Sequence, residues 1–405
     1  MKKTLLLFVL ILAIMVMPFA ALAQDSDSEG EEGPVIPEMG FWDECPAPEN
    51  LPETVTIGAI FGQTGRIAVY GVGQTQAVEL AVQHINESGY LGEGTTLEVI
   101  FEDSAGDIDQ AIAAMTKLVE QDEVLAVIGP TLSTEAFSAD PIAQENGTPV
   151  LGVSNTANGI TDMGEFVFRD SLPEASVIPG TIAQAKEILG LERVGVLYGN
   201  DDDFTVSGYN VFIDALNEND IEIVGEETFA VGDVDFSAQL TNLLDKDPDA
   251  LVVSALAAEG IEIILQARDF GFDGPIIGGN GFNTPAIAQE AGEAAEGVMI
   301  GAAWHIDNPS EISQTFTQAY MDAYDAAPNQ FDAQAYTGAW LIATAIRCAD
   351  STDRSEIRDA LASIEDFDSP LGLFSFDENR NPVHDPIVQV IEDGSYKILE
   401  AESEE

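Results

Sequence analysis

Short apolar runs alternate with segments of helical period through most of this chain, and that order leaves few folds open. Residues 55–60 read as a strand, and 71–88 as a helix with Ala77, Leu80, Ala81, His84 and Ile85 on one face. Strands at 97–101, 124–128 and 149–153 follow, separated by helices at 109–121 and 133–146. Strand–helix–strand order joins parallel strands through crossover helices, which implies a parallel sheet covered on both faces. The pattern then restarts. Strands fit 194–198, 221–227, 250–254 and 275–278, and helices fit 175–189, 206–219, 237–244 and 259–270. Two longer helical stretches, 311–326 and 333–348, precede a β-rich tail over 373–398 with a turn at Asp377-Glu378-Asn379. The expected fold is α/β with two doubly wound parallel-sheet lobes, and 405 residues suffice for two lobes of ordinary size.

The N-terminus gives the expected compartment. Lys2 and Lys3 precede an apolar stretch from Leu5 to Ala23 that ends in Ala21-Leu22-Ala23. A short basic region, an apolar core and a small-x-small end make a signal peptide over 1–23, cleaved after Ala23. The alternative is a retained anchor, since the stretch just spans a bilayer; Pro18 and the Ala-x-Ala site favour cleavage. Acidic residues 25–32 and then Pro34, Pro37, Pro46, Pro48 and Pro52 read as a flexible linker over 24–53. Folded structure is expected from Thr54, and residues 401–405 form an acidic tail.

Catalytic signatures are scarce. His84, His305 and His384 have no partner histidine at metal-ligand spacing, and His84 reads as a packed core residue. There is no Gly-x-Ser-x-Gly elbow and no Gly-x4-Gly-Lys phosphate loop. Gly71-Val72-Gly73 lacks the third glycine of a dinucleotide fingerprint. The sequence therefore calls for no metal, no cofactor and no enzyme activity.

Binding chemistry is expected where ligands of open parallel sheets sit, at the carboxyl ends of strands. The stretch 128–134 joins a strand to a helix, and Ser133 is placed to cap that helix, whose free N–H groups favour an anion. Ser154, Asn155 and Thr156 follow the next strand and add further donors. Ser, Thr and Asn also favour ordinary caps and turns, so these loops alone leave both readings open.

From about Thr54 to Ile398 the chain resembles the type I periplasmic binding proteins of the branched-chain amino acid group. The likeness is carried by Ile57-Gly58-Ala59-Ile60 through Tyr70-Gly71, by Glu102-Asp103-Ser104, and by Val127-Ile128-Gly129-Pro130. Residues 266–271 and 294–298 (QARDFG and AAEGV) match as well. The resemblance implies two lobes joined by three crossings, near 169–173, 301–305 and 368–372. Lobe one is then 54–169 with 305–368, and lobe two 170–304 with 369–400. It implies that Ser133 binds a ligand carboxylate, Ser154 offers a carbonyl to an ammonium group, and Thr156 completes the polar site beside Asn155. Tyr70 and Phe204 match aromatic wall positions. Asn280 stands where amino-acid binders often carry an acid, and Leu256 where some carry tyrosine; one of Asp201, Asp202 and Asp203 is an alternative partner for an ammonium. Cys45 and Cys348, too far apart for a zinc knuckle, would both lie in or beside lobe one, where an oxidising compartment permits a disulfide.

The implied function is an extracytoplasmic receptor that captures a small carboxylate-bearing solute, such as a neutral amino acid, by hinge closure. A membrane permease of an ABC transporter would be its partner, and the receptor would act as a monomer. An extracellular sensor for another carboxylate or an amide uses the same fold, and the sequence does not separate the two.

Charge narrows the partners further. Fourteen Lys and Arg stand against 72 Asp and Glu, a net of −58. Such a surface repels nucleic acid phosphates and anionic headgroups, which excludes DNA, RNA and acidic membrane surfaces. It also repels itself, and salt relieves that repulsion as the Debye length shortens from about 10 Å at 0.1 M to about 3 Å at 1 M. The melting temperature is therefore expected to rise between low and molar NaCl; a flat or falling trend would sink this account of the acidity.

Overall fold

The computed structural model describes residues 36–399. The expected signal peptide, the acidic start of the linker and the acidic tail lie outside them. In lobe one, β1 (Thr54–Phe61), β2 (Thr96–Asp103), β3 (Val127–Ile128), β4 (Val150–Gly152) and β5 (Val167–Arg169) form a parallel sheet in the order β2-β1-β3-β4-β5. Helices α1 (Ala68–Ser88), α2 (Ile108–Thr116) and α3 (Ser133–Glu145) connect its first four strands. β1 is buried almost throughout, as a central strand covered on both faces must be. Asp107 stops α2 from fraying by accepting the Gln110 N–H at 2.9 Å.

Lobe two begins with α4 (Glu174–Leu189) and repeats the plan. Strands β6 (Arg193–Gly199), β7 (Glu222–Phe229), β8 (Ala250–Ser254), β9 (Ile276–Gly278) and β10 (Val298–Ala302) are parallel, linked by α5 (Asp203–Glu218), α6 (Ser237–Leu244), α7 (Ala257–Asp269) and α8 (Pro285–Ala291). β8 is buried at every position, while the edge strand β7 carries Glu222, Glu226 and Glu227, whose charge discourages pairing with another chain. The chain then returns to lobe one with α9 (Glu311–Tyr324), α10 (Gln330–Ala349) and α11 (Arg354–Ala362). A small antiparallel sheet follows, of β11 (Phe367–Ser369), β12 (Gly372–Phe376) and β13 (Pro382–Val383). Finally β14 (Ile387–Glu392) and β15 (Ser395–Ile398) extend lobe two antiparallel to β10, giving β15-β14-β10-β9-β8-β6-β7. No helix among the described residues is long and apolar enough to cross a membrane.

Two expectations need correction. The third crossing falls between β13 and β14, not near 368–372. Phe374 and Phe376 are buried in the lobe-one core, and Arg380 donates to the Val167 and Thr161 carbonyls at 3.0 and 2.8 Å, so this stretch stays with lobe one. The linker also ends earlier than Glu53, because residues from Met39 onwards dock on lobe one. Met39 is buried in the lobe-one core, and the Phe41 N–H donates to the Tyr90 hydroxyl at 2.7 Å. Arg347, in the last turn of α10, lies over the rings of Trp42 and Tyr90 at 5.1 and 4.8 Å. Its guanidinium donates to the Cys45 and Trp42 carbonyls at 3.0 and 3.3 Å.

In the structure Cys45 and Cys348 form a disulfide with their Cα atoms 5.0 Å apart, closing a loop of 303 residues. For so long a loop the chain-entropy model sets an upper bound of about 5 kcal/mol on the stabilisation. Unfolded, unreduced protein should titrate no free thiols, and reduction should lower the melting temperature. Two titratable thiols would exclude the bond.

Candidate functional site

The carboxyl ends of β3 and β4 face those of β8 and β9 across the cleft between the lobes. After β3 the chain must turn sharply at Gly129, whose φ is +97° and where a Cβ would lie 2.2 Å from the Ile60 carbonyl oxygen. That turn delivers Thr131, Leu132 and Ser133 to the cleft. A buried network holds the loops together. The Thr131 hydroxyl donates to Gln74 Oε1 at 2.8 Å, Gln74 Nε2 donates to Ser154 Oγ at 2.9 Å, and Ser154 Oγ donates to the Thr131 carbonyl at 2.7 Å.

A small cavity lies here, between the lobes. Among the expected residues Tyr70, Ser133, Ser154, Phe204 and Asn280 line it. Thr131, Leu132, Leu256, Gly281 and Phe331 line it too. No Lys or Arg is among these residues, so an anion must be held by hydroxyls and by the N–H groups that the first turn of α3 leaves without intrahelical acceptors. Ser133 occupies the first position of α3 rather than its cap, since the cap position belongs to Leu132. Glu135 reaches back to accept the Leu132 N–H at 3.0 Å, which leaves the Ser133 hydroxyl free of capping duty.

Asn155 and Thr156 are buried but do not line this cavity. The Asn155 side chain packs over Gly152, where a Cβ would lie 2.3 Å from its Oδ1. Its carbonyl accepts from Arg169 and from the Ser171 hydroxyl, both at 3.1 Å. The Thr156 hydroxyl has no hydrogen-bond partner, and its carbonyl accepts the Glu174 N–H at 3.1 Å. A second small cavity adjoins the first at Asn280 and is lined by Glu174 and Gln330 among others. Asn280 Oδ1 accepts from Gln330 Nε2 at 2.7 Å. Glu174 carried no sequence signal, being one acid among many; only the fold brings it to the cleft.

The lobes meet around the first cavity. Tyr70, from lobe one, donates to the Gly281 carbonyl and accepts the Ala257 N–H, both at 2.8 Å, and burial pushes its phenol well above the ordinary value. Thr134 donates to Asp202 at 2.7 Å and accepts the Asp203 N–H at 2.8 Å. Arg66 pairs with Glu259 at 2.8 Å. Between these polar contacts, Ile67, Tyr70, Leu132 and Phe331 of lobe one join one apolar cluster with Phe204, Leu256 and Ile261 of lobe two. The arrangement is a receptor's: a polar floor for a charged end group, apolar walls, and two halves able to separate.

A family model described as a periplasmic binding protein matches residues 54–395. The chain belongs to the periplasmic binding protein family. Among curated relatives, the Leu/Ile/Val-binding protein BraC3 of Rhizobium johnstonii is 27% identical over 337 residues, covering 80% of this chain and 88% of the relative. The leucine-, isoleucine-, valine-, threonine- and alanine-binding protein of Pseudomonas aeruginosa is 26% identical, with 80% and 86% covered. Among solved structures, the branched-chain amino acid transporter substrate-binding protein LivJ of Streptococcus pneumoniae, in complex with isoleucine, superposes with a TM-score of 0.80. It is 31% identical, with 85% of this chain and 99% of that chain covered. The leucine-binding protein LivK of Thermotoga maritima gives 0.81 at 27% identity, with 85% and 98% covered.

Because its hydroxyl bridges the two lobes, Tyr70 is expected to act as a latch on this closed arrangement. Tyr70→Phe leaves the Ala257 N–H and Gly281 carbonyl without their partner, at a cost of about 1–3 kcal/mol to the closed form. Small-angle scattering should show the ligand-free variant more open than the wild type; superimposable curves would count against the latch.

Proposed function

We propose that this chain is the extracytoplasmic substrate-binding receptor of an ABC importer and that its ligand is a small neutral amino acid with an apolar side chain. The observation that carries this reading is the cavity itself, with hydroxyl and helix-terminal donors at one end and Tyr70, Phe204, Leu256 and Phe331 as walls. Relatives that bind leucine, isoleucine and valine, among them LivJ with isoleucine bound, support it. The ligand carboxylate meets Ser133 and the start of α3. The side chain lies against the apolar cluster that spans the cleft. A membrane permease receives the cargo from a monomeric receptor, whose large net negative charge opposes self-association. Export by the N-terminal signal, with cleavage after Ala23, puts the receptor in the periplasm or outside the cell.

A hydrogen bond to a charged group contributes about 1.5–3 kcal/mol, so Ser133→Ala should weaken leucine binding by about 10- to 100-fold in calorimetry. Circular dichroism should show the variant folded. Undiminished affinity would reject the site.

A further inference from the structure

An amino acid brings an ammonium group as well as a carboxylate, and the first cavity has no anion to receive it. Asn280 contributes only an amide, and its Oδ1 is occupied by Gln330. The three consecutive aspartates nearby are committed elsewhere. Asp202 accepts from Thr205 N and Thr134 Oγ1 at 3.0 and 2.7 Å, Asp201 accepts the Val231 N–H at 2.9 Å, and Asp203 is exposed. A buried ammonium without a carboxylate is costly.

Glu174 is the exception. It is 1% exposed, and neither carboxylate oxygen has a hydrogen-bond partner. The Asn280 backbone N–H lies close enough to favour the charged form without meeting hydrogen-bond geometry. Glycines flank the carboxylate: a Cβ on Gly208 or Gly279 would lie 2.7 or 3.3 Å from Oε1, so neither position supplies a side chain to satisfy it. The charged groups that act on it are Arg169 and Asp202. Arg169 spends its donors on the Asn155 and Ala157 carbonyls and on Asn381, at 3.1, 2.7 and 2.7 Å. Glu174 lines the cavity that adjoins the ligand cavity at Asn280, and its N–H is tied to Thr156 on the opposite lobe.

We propose that Glu174 is the counter-ion for the ligand's ammonium group, which makes the site selective for α-amino acids over the same carboxylates lacking the amine. The proposal rests on the amino-acid receptor reading above. The acid that relatives of this group often carry at the Asn280 position is replaced here by one from the first turn of α4, on the crossing between the lobes. Burial raises the Glu174 carboxyl well above its ordinary value, and an arriving ammonium favours its charged form.

Calorimetry with leucine and with 4-methylpentanoate, its deaminated analogue, tests this. Wild-type protein should bind leucine about 100-fold more tightly than the analogue. Glu174→Gln should weaken leucine about 100-fold and leave the analogue's affinity unchanged. Equal wild-type affinities, or a Glu174→Gln variant that binds leucine undiminished, overturns the proposal. The wild-type measurements decide the matter even if the variant does not fold. Ser133→Ala separates the two readings: it weakens both ligands if the receptor site is as described, and neither if that site is wrong.

Discussion

A single helix buried on nearly all sides ties the far end of lobe one to the binding cleft. Every residue of α10 from Gln330 to Arg347 is buried, which a helix tolerates only inside a large core. Twenty residues at 1.5 Å each span about 30 Å, roughly the width of a small domain. Its N-terminus is fixed by Asn329, which accepts the Phe331 N–H at 2.8 Å, and by Asp332, which accepts the Asn329 N–H at 2.8 Å. Gln330 then reaches out of the helix to Asn280 and to the Ala303 N–H, and Phe331 packs edge-on against Tyr70 with ring centres 5.0 Å apart. At the other end Arg347 and Cys348 hold the docked N-terminal segment. Site geometry and chain-end anchoring are thus two ends of one rigid rod.

A chain with so few bases must solve a second problem inside. Asp140, Asp170, Glu174 and Asp332 are buried without a basic partner, and burial raises the pKa of each; for Asp332 the value reaches about 7. Burial thus favours the uncharged form of each, which spares the interior part of the repulsion that governs the surface. Because the folded-state values lie above the unfolded ones, the native state binds more protons between them, and stability from this source is fullest below the unfolded pKa and declines as pH rises through the folded one. The recessed carboxyl of Glu174 belongs to the same pattern, but it alone borders the cleft, where a cation can reach it.

Much of this architecture is legible in the sequence because parallel strands and their crossover helices bury apolar residues at regular intervals. The elements that escape are those without such a record. α11 buries only Ile357 and Leu361, β5 is three residues long, and α8 is seven. The docking of residues around Met39 to Cys45 rests on cation–aromatic contacts with Arg347, some three hundred positions away, which no local pattern reveals. Tyr70, Ser133, Ser154, Phe204 and Asn280, expected from the strand-end loops or from the family resemblance, all line the cavity. Phe331 and Glu174 are invisible at that level because each joins the cleft from an element whose position only the three-dimensional return of the chain determines. Thr156 and Asn155 illustrate the reverse: a favourable loop composition does not say which way a side chain turns.

Closure then depends on the balance between rim and centre. The flanking contacts, Thr134 with Asp202 and Arg66 with Glu259, each set a buried carboxylate of lobe two against a partner on lobe one. The apolar cluster that spans the cleft contributes in proportion to the area it hides, but the cavity at its centre leaves part of that surface without contacts. A ligand that fills the cavity supplies what is missing: atoms against the walls and charge for donors whose hydration has been lost. It binds the closed form far better than the open one for that reason, and the difference in affinity is what shifts the lobes together. The same logic makes the latch weak by necessity, since a receptor held shut by its own contacts could not release cargo.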